Sequence, residues 1–200
     1  MPFSVDTFLA LAAFAMATTW SPGPNNFMLA ASGATFGYWR TLPHILGVAI
    51  GFPFMLFIVT LGLGEIFRTQ PTVREVVSWG GLCVMLYLAV RIALQTPKDG
   101  DDASRPLSFL GASAFQWVNP KAWVMSIGVA ATFASGTSPT LGAALIAGVF
   151  ILVGLTSANA WAAAGAALQR LLGRGRRLRI FNVTMGILLA VSALWMVFDR

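Results

Sequence analysis

Two short stretches hold most of the groups able to do chemistry in an otherwise apolar chain. The first is Ser21-Pro22-Gly23-Pro24-Asn25-Asn26; the second contains Gln116, Asn119, Pro120 and Lys121. Pro22 lacks the amide that would bond the Thr18 carbonyl in a helix, Pro24 does the same to Trp20, and Gly23 adds backbone freedom. Pro120 interrupts the second stretch in the same way. Carbonyls released in apolar surroundings are tolerated only against protein or a wet cavity. Broken half-helices also turn N-terminal amides, with their partial positive charge, toward an anion. These ten residues are therefore the candidate ligand-binding set. Ser21, Asn25, Asn26, Gln116 and Asn119 suit either the capping of freed backbone or contact with a ligand. Lys121 suits either snorkelling to an interface or a fixed cation that meets a carboxylate. We expect the fixed cation, because a charge inside an apolar segment usually faces the interior.

Other side chains are weaker candidates. Asp6 and His44 are the titratable groups considered for proton coupling, although a helix-start role and a packing role are the plainer readings. Trp20, Trp117, Trp123, Trp161 and Asn159 are candidates for lining a cavity, although packing is the plainer reading of each tryptophan. One histidine and one cysteine, Cys83, provide no bis-His haem site, zinc cluster or Cys–His dyad. The sequence contains no GxxxxGK[ST] phosphate loop. No catalytic residue, metal or cofactor is expected, and the chain reads as no enzyme. Asp99, Asp101 and Asp102 read as a solvated charge run.

The elements that must position these groups are membrane helices. The 200 residues are 57% hydrophobic and 10% charged, against roughly 25% charged in a soluble domain. A pI near 10.8 would suggest nucleic acid for a soluble chain; here it reads as loop charge that orients a multi-pass membrane protein, and no nucleic-acid partner is expected. Six apolar segments appear: Val5–Phe36, Leu42–Gly64, Val73–Leu94, Leu107–Phe133, Leu141–Leu168 and Ile180–Phe198. Residues 95–106 form a polar linker, 134–140 a short turn and 170–179 a basic loop. Arg68, Arg74 and Arg200 lie on the side of the termini. Arg40, Lys98, Arg105, Arg170, Arg174, Arg176, Arg177 and Arg179 lie on the other. Positive loops stay in the cytoplasm, so both termini are expected outside and the linker and basic loop inside. The basic loop also suits anionic lipid headgroups.

The first segment is 32 residues long, about 48 Å as one helix, against a hydrocarbon core of about 30 Å. It must bend, break or tilt, and its prolines fall near the middle. Pro120 holds the matching position in the fourth segment. A shift of 97 residues places Trp20 on Trp117, Met28 on Met125, and Ala34-Thr35-Phe36 on Ala131-Thr132-Phe133. Three helices per half is an odd number, so the halves enter the membrane in opposite senses. The expected fold is a single all-α transmembrane domain: six helices in an inverted 3+3 repeat, with repeats about 1–97 and 107–200 and the first and fourth helices broken near mid-membrane. The spacings Gly33/Gly37 and Gly47/Gly51 suit close helix packing, within the monomer or in a homo-oligomer.

Residues 21–52, together with Phe115-Gln116-Trp117-Val118-Asn119-Pro120-Lys121-Ala122-Trp123 and on to Gly128, resemble the lysine exporter superfamily. They are most similar to its homoserine/threonine-resistance branch of amino-acid effluxers, which includes cysteine and O-acetylserine exporters. Residues 77–90 are similar to that family's third segment. Pro22, Gly23, Pro24, Asn119, Pro120 and Lys121 carry the matching motifs. The resemblance implies a bacterial inner-membrane exporter of small amino acids or derivatives, driven by the proton-motive force. Residues alone leave two alternatives. One is a small-multidrug-type cation exporter, which would need a membrane acid such as Asp6. The other is a membrane protein that does not transport.

Overall fold

A computed structural model describes residues 4–95, 105–134, 138–172 and 175–198. Most of the expected linker and part of the expected turn lie outside the described residues, as do Arg174 and Arg200. The described chain is all-helical. Its helices are α1 (Val5–Trp20), α2 (Pro24–Phe36), α3 (Tyr38–Ile58), α4 (Gly64–Thr69), α5 (Pro71–Ala93), α6 (Phe109–Val118), α7 (Pro120–Phe133), α8 (Pro139–Leu172) and α9 (Arg176–Phe198). A π-helical turn, Val59–Leu63, joins α3 to α4.

The helices start and stop where local chemistry directs. Ser4 caps α1 by accepting the Thr7 amide at 3.1 Å, and Ser108 caps α6 by accepting that of Gly111 at 3.1 Å. Pro24 and Pro120 open α2 and α7 at the first helical turn, where the missing N–H costs nothing. Gly23 (φ 174, ψ −178) and Asn119 (φ −86, ψ 108), the residues before them, are extended, as the proline ring requires. Each proline thus ends one helix and begins the next. Both expected breaks are present.

Among the described residues, four helical stretches are long and apolar enough to cross a membrane: Tyr38–Thr69, Pro71–Ala93, Pro139–Leu171 and Arg176–Phe198. The outer surface is apolar, with Trp79, Tyr87, Leu110, Leu152 and Trp195 all more than half exposed, which suits lipid rather than water. This is a multi-pass membrane protein. The halves interlock: α3 packs on α8, α5 on α9, α2 on α8 and α9, and α6 on α3 and α5.

Some expected boundaries are corrected. The second segment begins at Tyr38, not Leu42, and continues through the π-turn to Thr69. At that turn Gly62 has φ 136, a conformation that favours glycine. The basic loop is largely helical. Arg170 ends α8, and Arg176, Arg177 and Arg179 form the first turn of α9. Of the four small-residue positions, Gly33, Gly47 and Gly51 make close contacts, but Gly37 (φ 80) is the turn between α2 and α3. These contacts close the monomer.

Candidate functional site

The two breaks meet, and the carbonyls released at the first are satisfied by its own side chains, by α8 and by Lys121 of the second. Beyond the end of α1, Ser21 Oγ donates to the Thr18 carbonyl at 2.8 Å. Asn26 Nδ2 donates to the carbonyls of Thr19 (2.9 Å) and Ser21 (2.8 Å), and Ser157 Oγ from α8 donates to that of Thr19 at 2.8 Å. Lys121 Nζ completes the set, donating to Ser21 Oγ (2.8 Å), the Ser21 carbonyl (3.2 Å) and the Pro22 carbonyl (3.3 Å). A lysine at the negative end of α1 complements both the released carbonyls and the helix dipole. Asn25 and Gln116 exchange two amide bonds, of 2.9 and 3.1 Å, which ties the first break to the fourth segment.

Gly23 has a purpose beyond its conformation, since its extended backbone would admit any residue. A β-carbon there would fall 2.8 Å from Lys121 Nζ. The absent side chain is the space the ammonium occupies.

A partly open cavity lies against the breaks, with about 530 Å³ of free space counting its open mouth. Thr18, Thr19, Gly23, Pro24, Asn25 and Asn26 form one wall, and Asn119, Lys121, Ala122 and Met125 another. Val48, Ala49, Phe52 and Pro53 of α3 and Phe150, Gly154, Ser157 and Ala158 of α8 close it. No acidic residue lines it among the described residues. Pro53 has no N–H, so the Ala49 carbonyl loses its usual helical donor, and both residues border the cavity. The N-terminus of α2 has no side-chain cap, whereas the Asn119 side chain accepts the Lys121 amide at 3.1 Å and caps α7. Of the two broken-helix amide ends expected to face a ligand, that of α2 is uncapped and that of α7 is closed by its own residue. The cavity therefore holds a cation and free amides at one place, a backbone acceptor at another, and apolar faces between them.

Six candidates from the sequence line this cavity: Gly23, Pro24, Asn25, Asn26, Asn119 and Lys121. Ser21, Pro22, Gln116 and Pro120 stand behind it, where they hold those six in place. The expected cavity-lining set is not brought there. Trp20 is 41% exposed on the outer surface. Trp123 stacks on Phe67 at 4.3 Å and donates its ring N–H to the Trp117 carbonyl at 2.8 Å, while Trp117 packs edge-on against it. Trp161 packs with Leu29 and Ile45. Asn159 accepts the Tyr38 hydroxyl and donates to the Leu155 carbonyl at 2.7 Å. Large aromatic rings in an apolar bundle are held by packing, which carries no instruction to face the one polar cavity. Asp6 is exposed in the first turn of α1, and His44 is buried in α3; neither reaches the cavity. Sequence reasoning missed the walls from α3 and α8. Pro53 was a usable signal there, being a proline inside an apolar segment like those at the breaks.

The profile of the LysE type translocator family matches residues 16–200. The cysteine/O-acetylserine efflux protein of Escherichia coli O157:H7 is 30% identical over 187 residues, covering 90% of this chain and 92% of the relative. Proteins of the same name from Escherichia coli K12 and Shigella flexneri serotype 5b are 29% identical with the same coverage. No solved structure matches.

Proposed function

The chain belongs to the LysE type translocator family, and from that premise we propose that it exports small neutral amino acids or their derivatives across the bacterial inner membrane. The observation that carries this reading is one cavity built from two broken helices, with Lys121 and the uncapped α2 terminus on its wall and no carboxylate among the residues lining it. The substrate carboxylate sits toward Lys121 and the α2 amides. The α-ammonium sits toward the Ala49 carbonyl and the asparagine oxygens, and the side chain lies against Phe52, Met125 and Phe150. Cysteine and O-acetylserine, named for the relatives, are of this size and charge. The proton-motive force is the energy source this reading assigns. No described acidic residue or histidine lines the cavity, so the coupling proton is not carried by an acid beside the substrate. The same fact disfavours a cation exporter.

An inverted repeat of six crossings accounts for the packing. A two-fold exchange of halves pairs the first crossing with the fourth, α3 with α8, and α5 with α9. It requires that whatever the first crossing packs on, the fourth packs on the counterpart. Taken as whole crossings, α1 with α2 packs on α8 and α9, and α6 with α7 packs on α3 and α5, as the exchange requires. In this arrangement the termini face outward and the 95–106 linker faces the cytoplasm. Single cysteines at residues 98 and 105, placed in a Cys83→Ser background, should react with an impermeant reagent only from the cytoplasmic face. Reaction from outside would reverse the orientation.

Transport is tested with a labelled amino-acid panel in loaded vesicles under an imposed proton gradient. Threonine, homoserine, serine, cysteine and O-acetylserine should leave on the order of a hundredfold faster than lysine or arginine, because a second cation would be buried without an anion at a cost of several kcal/mol. Lysine leaving faster than threonine would refute the charge argument, and no efflux of any member would refute export itself.

A further inference from the structure

A second cavity, with about 370 Å³ of free space, lies on the linker side of the molecule. Ser32, His44, Arg91, Gln95 and Arg105 supply its polar wall, and Met28 lies among its apolar residues. Two features set it apart from a packing gap. His44 is 2% exposed, yet neither ring nitrogen has a hydrogen-bond partner; the Gln95 side-chain oxygen has none either. Buried polar atoms are nearly always satisfied, so a polar ligand is the missing partner. The chemistry around them is that of a zwitterion. The Arg91 guanidinium can hold a carboxylate, with the positive charge of Arg105 on the same wall, and the Gln95 oxygen and an imidazole nitrogen can accept from an ammonium. Among the described residues, none that lines the cavity is acidic.

Its position gives it a task. Asn25, Met28, Ser32 and Phe36 recur at helical spacing on one face of α2. Asn25 lines the central cavity, and the other three line this one. Ser32 lies seven positions after Asn25, a rise of about 10 Å. Between the two cavities Met28 packs with Phe115 and Leu88 in an apolar cluster. We propose that the linker-side cavity is a second binding station for a zwitterionic amino acid, which the substrate occupies before passing the Met28 barrier into the central site. This rests on the exporter reading for its role, but not for its chemistry.

His44 is the one histidine in the chain, so isotopically labelled histidine gives a single set of ring resonances. The experiment uses the full chain with a histidine-free tag, in neutral phosphatidylcholine nanodiscs, titrated with O-acetylserine. The His44 ring nitrogens should shift saturably. The shift should persist in Lys121→Ala, which alters the central site. Arg91→Gln should raise the half-saturating concentration at least tenfold, and Arg91→Lys should restore much of the loss. Arg91 is exposed at the end of α5, so these changes leave the fold intact. A silent His44, or a shift that disappears in Lys121→Ala and ignores Arg91→Gln, would overturn the second station. A shift produced by anionic phosphatidylglycerol in place of the amino acid would also overturn it, in favour of a lipid headgroup. Vesicle efflux separates the two readings: O-acetylserine transport with a silent His44 sinks the station alone, and a responsive His44 without transport sinks the exporter alone.

Discussion

Lys121→Ala should lower amino-acid efflux by on the order of a hundredfold while the protein still inserts and elutes as a single species. Truncating one partner of a buried charged contact costs about 2–5 kcal/mol, and about 2.7 kcal/mol is a hundredfold. In this protein the loss has two parts. The substrate carboxylate loses its fixed cation, and the Pro22 carbonyl loses its donor while that of Ser21 keeps only Asn26. Two companion variants separate the parts. Ser21→Ala removes one contact of the ammonium but keeps the charge and both carbonyl bonds, so efflux should fall only severalfold. Gly23→Ala places a β-carbon 2.8 Å from Nζ and so displaces the ammonium without removing it, and should fall between the two. Efflux near wild type in Lys121→Ala would show that Lys121 only ties α1 to α7. Equal losses in Ser21→Ala and Lys121→Ala would assign the effect to the tie rather than to substrate charge.

The breaks were legible because proline chemistry is local. Pro24 and Pro120 state their effect within four residues, and the structure places each at the opening turn of a helix. What they could not state was the partner across the bundle. Lys121 lies about a hundred residues from Ser21, and nothing near either residue encodes the 2.8 Å bond between them. The walls from α3 and α8 were illegible for a related reason. Phe52, Phe150 and Ala158 are ordinary apolar residues, and only three-dimensional packing distinguishes them from Leu56 or Ile146 in the adjacent core. The tryptophans illustrate the opposite case, in which the plainer reading, packing, is the one that holds. They are conspicuous in sequence but are placed by van der Waals contact, on Phe67 and on each other. His44 was noticed as a titratable group, but its setting with Arg91 and Gln95 depended on the end of α5 reaching a cavity that α2 and α3 also line. The start of α9 inside the basic loop was missed because arginine, a good helix former, extends the helix past the apolar run.

Small residues set the distance between the two halves, and there the second large effect is expected. A β-carbon on Gly33 would fall 2.1 Å from the Ala162 carbonyl oxygen, and one on Gly165 would fall 2.1 Å from that of Ala30. The two contacts are reciprocal across α2 and α8, and both obstacles are helix backbone, which cannot rotate away as a side chain can. Even alanine must push the helices apart, and overpacking of this kind costs about 1–3 kcal/mol. Gly128 is the internal control: it is exposed in α7, and its β-carbon would meet nothing within 4 Å, so alanine there should be neutral or slightly stabilising through helix propensity. Thermal unfolding in detergent should therefore rank Gly128→Ala at or above wild type and Gly33→Ala and Gly165→Ala clearly below it. Gly33→Leu and Gly165→Leu should yield little monodisperse protein. Efflux should fall with stability in these variants and also beyond it, because α2 carries Asn25 and Asn26 to the cavity wall and a displaced α2 moves that wall. If Gly33→Ala and Gly165→Ala unfold at the same temperature as Gly128→Ala, the α2–α8 contact is not the close backbone seam described here, and the geometry of the central cavity built on it fails as well.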